Sequence, residues 1–266
     1  MSLYTDWESM NLTTPQLLAD LQLAIKAQRE LLDSFKVARK SNVTKVYMLL
    51  LVHGINRKAI GALSLYQHDH YDAAGPIIRS AISLYIDFLN TSKHDDYPLY
   101  LDYLSGNHWK KSLTAHQQSP DSPYSQAIAD AAADHQLENL DNMIADQDQR
   151  LQKIKAKLSD KYYNGNKIDT SEYRKFKLAN KLREYDGLYR MLSRNVHGNI
   201  DSLVGRLDED MFWCWPPLPE KASKVEISLL LDVIIDSTLI LSKEYRKKVA
   251  HIRQLRVKHA EVMNLM

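Results

Sequence analysis

Apolar residues recur every three or four positions along most of the chain, which is the spacing of a helix face buried against a core. The first such run contains Leu18, Leu21 and Ile25 and follows the dipeptide Thr14-Pro15. Proline is favoured at the first position of a helix, directly after a capping threonine. The pattern therefore predicts a first helix from residue 14 to about residue 40.

The next two runs are apolar around most of their circumference, which is typical of helices buried on several sides. They predict a second helix over 42–68 and a third from Asp72 to about Asn90. Pro76 is compatible with the third helix because it lies in or near the first turn. A weaker fourth segment covers 98–116, where Gly106 interrupts the pattern.

Charge changes sign along the middle of the chain. Residues 121–148 contain acidic side chains but no lysine or arginine, and basic residues follow from Arg150 to Lys157. Acids near the start and bases near the end of one long helix complement its dipole. After a turn at Asn164-Gly165-Asn166, another helix is expected from Thr170, with a break near Gly187. We predict a helical hairpin over about 121–183 that protrudes from a single domain, 1–266.

The C-terminal third combines a loop and a long helix. The least helical stretch lies between Gly198 and Lys221 and includes an aromatic and proline-rich loop, 211–219. A final helix is predicted from about Ala222 to Val262, apolar at first and basic later. Its basic part provides candidate RNA-binding residues, namely Lys247, Lys248, Arg253 and Arg256. A solvated helix end, where the dipole favours cations, would explain the same charges.

Composition supports a helical fold and indicates the cellular compartment of the protein. Glycine and proline number only 8 each among 266 residues, so the fold class predicted is all-α, an irregular multi-helix bundle. The single cysteine, Cys214, excludes an internal disulfide, and the N-terminal residues lack the pattern of a signal peptide. Because no apolar run is long enough to span a membrane, we expect a cytoplasmic protein without membrane contact.

Overall charge limits how the chain could bind nucleic acid. Lysine and arginine total 35 against 33 acidic residues, a formal charge of +2. That balance is too small for a basic field over the whole surface, so any contact with RNA must be local.

One face of the helix that ends near residue 199 carries the types of side chain that phosphate chemistry requires. At 100° per residue, an arc of about 140° holds the polar residues of this helix. They are Arg183, Asp186, Tyr189, Arg190, Ser193, Arg194 and His197. Metal-free RNA cleavage needs a base, an acid and cations that stabilise the phosphorane. His197 could act as the base or the acid, and an arginine as the cation.

The third helix carries a narrower polar stripe that includes Arg79, Ser83 and Asp87. A buried arginine needs a partner, so these side chains should bind one another or groups on another helix. They could form a structural ion pair, or they could face the helix of His197 and orient its polar groups.

Two stretches, 71–80 (YDAAGPIIRS) and 189–198 (YRMLSRNVHG), look like those of bacterial helical proteins of unknown function. The second contains Tyr-x3-Ser-x2-Val-His, which resembles the signature of the HEPN superfamily. The arginine and histidine of its Arg-x4-6-His motif would correspond to Arg190, or alternatively Arg194, and His197.

The resemblance implies an all-α, commonly dimeric protein that cleaves RNA without a metal or another cofactor, in toxin–antitoxin or other defence systems. It implies Tyr189, Arg190, Ser193, Arg194 and His197 as catalytic residues, with RNA, a second copy of the chain and an antitoxin or defence protein as partners. Arg79, Ser83 and Asp87 would support that site.

Two other hypotheses remain open. The chain could be a non-catalytic helical interaction module, with its polar stripes forming interhelical hydrogen bonds. It could also bind a small anion between Arg79 and Arg190.

The sequence contains no phosphate-binding glycine loop, serine-hydrolase elbow or zinc motif. We therefore predict no metal site.

Overall fold

The computed structural model describes residues 12–35, 42–119, 140–190 and 220–259, together with positions 121, 123, 130 and 192. The chain divides into two compact units, one from Met1–Lys93 and Lys175–Met266 and the other from His94–Arg174. The described part of the first unit contains the helices α1 (Thr14–Asp33), α2 (Val43–Gln67), α3 (Tyr71–Lys93), α7 (Leu182–Glu184), α8 (Glu220–Glu244) and α9 (Ala250–Lys258). The second unit contains α4 (Tyr97–Gln118) and α5 (Leu140–Lys155), and α6 (Glu172–Ala179) crosses the boundary between the units.

Local hydrogen bonds define where the first helices begin. The Thr13 hydroxyl accepts a hydrogen bond from the Gln16 amide, and the Gln16 side chain accepts one from the Thr13 amide, 2.8 Å away. This reciprocal pair satisfies two donors that an uncapped helix would leave free. The Asn42 side chain caps α2 in a similar way by accepting a hydrogen bond from the Lys45 amide.

The core of the first unit is made by α1, α2, α3 and α8. Leu17, Leu21, Ile55, Ile78 and Ile234 are all completely buried. Because each of these helices contributes a wide apolar face, most of their stability comes from packing against one another.

A buried amide network links three of these helices. The Gln28 side chain on α1 donates to the hydroxyls of Ser237 and Thr238 on α8, both at 3.0 Å. Asn56 on α2 donates to the Gln28 side-chain oxygen at 3.1 Å and to the Ile25 carbonyl at 3.0 Å. Since buried polar groups are tolerated only when they are hydrogen-bonded, this network fixes the relative positions of α1, α2 and α8.

The second unit packs α4 against α5 and contains a short hairpin. Tyr100 and Tyr162 stack with ring centroids 4.8 Å apart, and Asp96 accepts hydrogen bonds from Ser159, Lys161 and Tyr162. Burial alone would raise the pKa of Asp96, but these three hydrogen bonds and the Lys161 charge outweigh burial and lower the pKa. The carboxylate is therefore held in its ionised form.

The hairpin and α4 each contain a glycine with a clear structural role. Strands β1 (Tyr163–Asn164) and β2 (Lys167–Ile168) pair antiparallel, and Gly165 between them has a φ of +60°. At Gly106, a Cβ atom would overlap the Gln147 side-chain amide and lie 3.1 Å from a Leu151 methyl. Thus α5 approaches α4 closely because position 106 has no side chain.

The all-α prediction is confirmed, and several predicted boundaries need correction. The predicted final helix is two helices, because α8 ends at Glu244 and α9 begins at Ala250. Apolar periodicity does not reveal this break, because the segment between them, Tyr245–Val249, continues the polar pattern of an exposed helix. The first helix ends at Asp33, well before residue 40.

The helix predicted from Thr170 is also interrupted. It begins at Glu172 and breaks at Asn180, which has a φ of +61°, and Gly187 lies within a π-helical turn, Tyr185–Tyr189. The predicted aromatic loop, 211–219, lies outside the described residues, as does most of the acidic segment. The single domain with a protruding hairpin stays a prediction.

Candidate functional site

The segment that leads into the predicted catalytic helix is anchored by an aromatic cluster. Phe176 on α6 contacts the rings of Tyr185 and Tyr189, with centroid distances of 5.2 and 4.9 Å. Tyr185 and Tyr189 stack on each other at 5.7 Å. Both tyrosines belong to the π-helical turn, a distortion that occurs frequently at functional sites.

Among the described residues, a cation–π contact joins the two motif-bearing segments. The Arg79 guanidinium on α3 lies 4.9 Å from the centre of the Tyr189 ring, within the range of a cation–π interaction. Tyr189 is only 5% exposed. Residues 71–80 and 189–198 are more than a hundred positions apart in sequence, so their contact is a feature of the tertiary structure.

Arg190 points away from this cluster into solvent. Its guanidinium lies 3.6 Å from the Asp186 carboxylate, and both side chains are more than 60% exposed. An exposed pair of this kind contributes little to stability, so Arg190 remains accessible to a ligand. Ser193, Arg194 and His197 lie outside the described residues.

The polar stripe of α3 contains a buried ion pair. Asp87 lies 3.2 Å from the Lys175 ammonium on α6, and the two side chains are 9% and 10% exposed. Ser83 is half-buried on the same helix. Asp87 therefore connects α3 to the helix that precedes the π-helical turn, and Arg79 contacts the turn itself.

A cleft of about 340 Å³ with a mixed apolar and charged lining lies beside this segment. Residues from α3, α6, α8 and α9 and from the segment around α7 contribute to its lining. Its polar residues include Tyr85, Lys181, Glu184, Asp232, Asp236 and Arg256. Because Lys181 and Glu184 come shortly before the π-helical turn, one short segment joins the cleft to the predicted catalytic helix.

Ionisation in the cleft is governed by two aspartates one turn apart on α8. The Tyr85 hydroxyl donates a hydrogen bond to Asp236, and Arg256 lies 3.4 Å from Asp232 and 3.6 Å from Asp236. Burial raises the pKa of Tyr85 well above its usual value, and Asp236 raises it further. Tyr85 is thus a hydrogen-bond donor at neutral pH.

Asp232 is a group in the cleft that titrates close to neutrality. Burial raises the pKa of its carboxyl to about 6, and the nearby charges of Asp236 and Glu184 add to the effect. Arg256 and Lys181 act in the opposite direction, without cancelling it. A carboxyl with this pKa can exchange a proton at physiological pH, which is useful for acid–base chemistry.

One signal for this cleft is present in the sequence, although no catalytic motif includes it. Asp232 and Asp236 interrupt an otherwise apolar helix at a spacing of four, so they share one face. The two partners of these aspartates, Tyr85 and Arg256, lie more than a hundred residues from each other on different helices. Sequence alone therefore could not assign them to this pair. Of the predicted RNA-binding residues, Arg256 is engaged with the aspartates, whereas Lys247, Lys248 and Arg253 are exposed.

Two further features are absent from the part of the chain that the structure describes. No group of three or more histidine, cysteine, aspartate or glutamate side chains there is placed to hold a metal ion. No helix in these ranges has the length and apolar character needed to cross a membrane.

Comparison with known proteins gives one match. A family model described as "Family of unknown function (DUF5677)" matches residues 45–212, which is more than half of the chain. The matched range contains most of α2, all of α3 to α7, both motif-bearing segments and the π-helical turn. The searches of curated proteins and of solved structures found no match.

Proposed function

The chain belongs to the Family of unknown function (DUF5677), and from its own residues we propose that it is a HEPN-like, metal-independent endoribonuclease. The observation that carries the proposal is the contact between Arg79 and Tyr189. It joins the two segments that resemble stretches of bacterial helical proteins, and it holds the first residue of the histidine motif against α3.

The proposed chemistry uses residues that follow this anchor. His197 removes the proton from the ribose 2′-hydroxyl or protonates the leaving oxygen, and Arg190 or Arg194 stabilises the charged phosphorane. Ser193 lies on the same predicted helix face and would hydrogen-bond the phosphate. The exposure of Arg190 supports this assignment, because a guanidinium sequestered in a buried ion pair could not reach a substrate.

We further propose that the protein acts as a homodimer in a bacterial defence or toxin system, with a cognate antitoxin or defence protein as partner. A dimer would bring two copies of the His197 helix to one phosphate. As part of this proposal, the protein acts in the cytoplasm, where it would meet cellular RNA.

A second candidate function is a non-catalytic interaction module. The buried pair between Asp87 and Lys175 favours it, because this part of the predicted supporting stripe is used to join α3 to α6. In that case the polar residues of the stripe serve the fold, and the chain changes no RNA.

Incubation with total RNA in the presence of EDTA tests the proposal. Wild-type protein should produce fragments with 2′,3′-cyclic phosphate ends, whereas His197→Ala and Arg190→Ala should lose most of the activity. Arg29→Ala is a matched control, because Arg29 is an exposed arginine on α1, outside the proposed site. It should cleave like the wild type.

The alternatives give different results in the same assay. Intact RNA with the wild-type protein, after an inactivating partner has been excluded by purification under denaturing conditions and refolding, would favour the interaction module. Cleavage that survives both His197→Ala and Arg190→Ala would refute the assigned site.

A further inference from the structure

The C-terminal end of α8 has an arginine where the backbone conformation favours glycine. Arg246 has a φ of +53°, and the Lys247 amide donates to the Ser242 carbonyl at 2.8 Å. This hydrogen bond is the mark of a Schellman ending, whose left-handed residue is usually glycine or asparagine. Arginine in this conformation costs free energy that glycine would not.

Two other helices end in the same way with residues that suit the conformation better. After α2 the left-handed residue is Asp69, and after α6 it is Asn180, with φ values of +59° and +61°. Aspartate and asparagine visit this region more readily than other non-glycine residues because their short side chains bind the local backbone. An arginine side chain has no such local interaction, so the conformation of Arg246 suggests a role for its guanidinium.

Arg246 lines a cavity of about 810 Å³ in the first unit. The cavity lies where α2 begins and where α3 and α8 end. These three helix ends contribute the basic side chains of Lys45, Lys93, Lys243 and Arg246, against one carboxylate, Glu244. We name this cavity the basic basin, because its lining carries four basic side chains and one carboxylate.

Helix dipoles do not account for the whole basin. The negative C-terminal ends of α3 and α8 favour cations such as Lys93 and Lys243. Lys45 lies in the first turn of α2, where the dipole disfavours a cation. Its ammonium is held instead by the Glu244 carboxylate, 3.4 Å away, and lies 5.3 Å from the centre of the Tyr245 ring.

The cations of the basic basin are available to a ligand. Within the described ranges, Lys243 and Arg246 have no side-chain hydrogen bond or ion pair. Lys45 lies 3.4 Å from Glu244, but both side chains are more than 40% exposed. The Lys93 ammonium donates one hydrogen bond to the Ala179 carbonyl at 2.9 Å, which positions it and leaves its other protons free.

We propose that the basic basin binds a ligand that carries several closely spaced phosphates. Four cations around one cavity match several closely spaced negative charges better than a single phosphate. The volume lies in the range of small-molecule sites, and Met48, Leu89 and Ile240 add an apolar surface for the rest of the ligand. The phosphates could belong to the polyphosphate chain of a small nucleotide or to successive phosphodiesters of an RNA backbone, and neither Tyr189 nor Arg190 lines this cavity.

Binding of inorganic tripolyphosphate to the full-length protein, measured by titration calorimetry at low ionic strength, tests the proposal. Arg246→Gly is the critical variant, because it removes the guanidinium and relieves the backbone strain. It should melt at the same or a higher temperature and bind tripolyphosphate about tenfold or more weakly, as expected for the loss of a charge-assisted hydrogen bond. Arg29→Gln removes an exposed arginine of α1 outside the basin and should bind like the wild type.

A second arm identifies the source of the phosphates. A short 2′-O-methylated RNA cannot be cleaved through its 2′-oxygen, so its binding is independent of any nuclease activity. If it binds, competes with tripolyphosphate and is weakened by Arg246→Gly, the basin holds an RNA backbone. If only tripolyphosphate binds, the basin holds a small phosphorylated ligand. Absence of tripolyphosphate binding, or equal binding by wild type and a folded Arg246→Gly variant, would overturn the proposal.

Discussion

Replacement of Asp232 by asparagine should stabilise the protein at neutral pH. The raised pKa means that the folded state favours the protonated carboxyl, whereas the unfolded chain ionises near the ordinary value of 3.8. The stabilising contribution of the protonated group is therefore complete below that value and is lost as pH rises through about 6. Asparagine resembles the protonated form and has no charge to bury, so the variant avoids this loss.

The size of the effect follows from the shift in pKa. A change from 3.8 to about 6 is a little over two units, and each unit corresponds to about 1.4 kcal/mol. The variant should thus be more stable than the wild type by up to about 3 kcal/mol near pH 7 and by little near pH 4. The Asp232 side chain is 28% exposed, so solvent screening makes the measured gain smaller than this limit.

Urea unfolding at several pH values, followed by circular dichroism, measures the difference. Asp33→Asn is a suitable control, because the Asp33 side chain is 75% exposed and the substitution should change stability by less than about 0.5 kcal/mol. Arg256→Gln should increase the pH dependence of the protein with native Asp232, since Arg256 lowers the pKa of that carboxyl. A wild type and Asp232→Asn variant that differ by a constant amount at all pH values would refute the assigned ionisation.

Three further substitutions test contacts within one unit or the other. Gln28→Leu should destabilise the protein by about 1–3 kcal/mol because it breaks the buried amide network, whereas Gln22→Leu on the exposed side of the same helix should be nearly neutral in urea unfolding. Gly106→Ala should lower the melting temperature, because the added methyl group would displace the buried Gln147 side chain and crowd a Leu151 methyl group of α5. Gly187→Ala, with open space around it, should not. Asp96→Asn should reduce stability near pH 7 by about 1–3 kcal/mol. Because the pKa of Asp96 is lowered, its ionised carboxylate is the form that stabilises the fold, so the difference should disappear as pH falls below about 4.

The helical fold can be predicted from the sequence because its determinants are local. Apolar spacing identifies α2 and α3 closely, and Thr14-Pro15 marks the start of α1 within one residue of its cap. The end of α8 escapes prediction, because a left-handed arginine has no sequence signature, unlike glycine or asparagine at the same position. Periodicity also overextends α1, since helix ends depend on capping and solvent as well as on the apolar face.

Only part of the candidate sites can be predicted from the sequence. The spacing of Asp232 and Asp236 is enough to place two carboxylates on one helix face. The pKa of Asp232, however, depends on burial and on charges from other helices, and the contact of Arg79 with Tyr189 depends on how α3 packs. The positions of the helices and the kinds of reactive side chain on each helix face can thus be read from the sequence alone, because periodicity and residue type involve only neighbouring residues. Which side chains meet, and which protonation state each one takes, depends on the folded chain, because distance and desolvation are set by long-range packing.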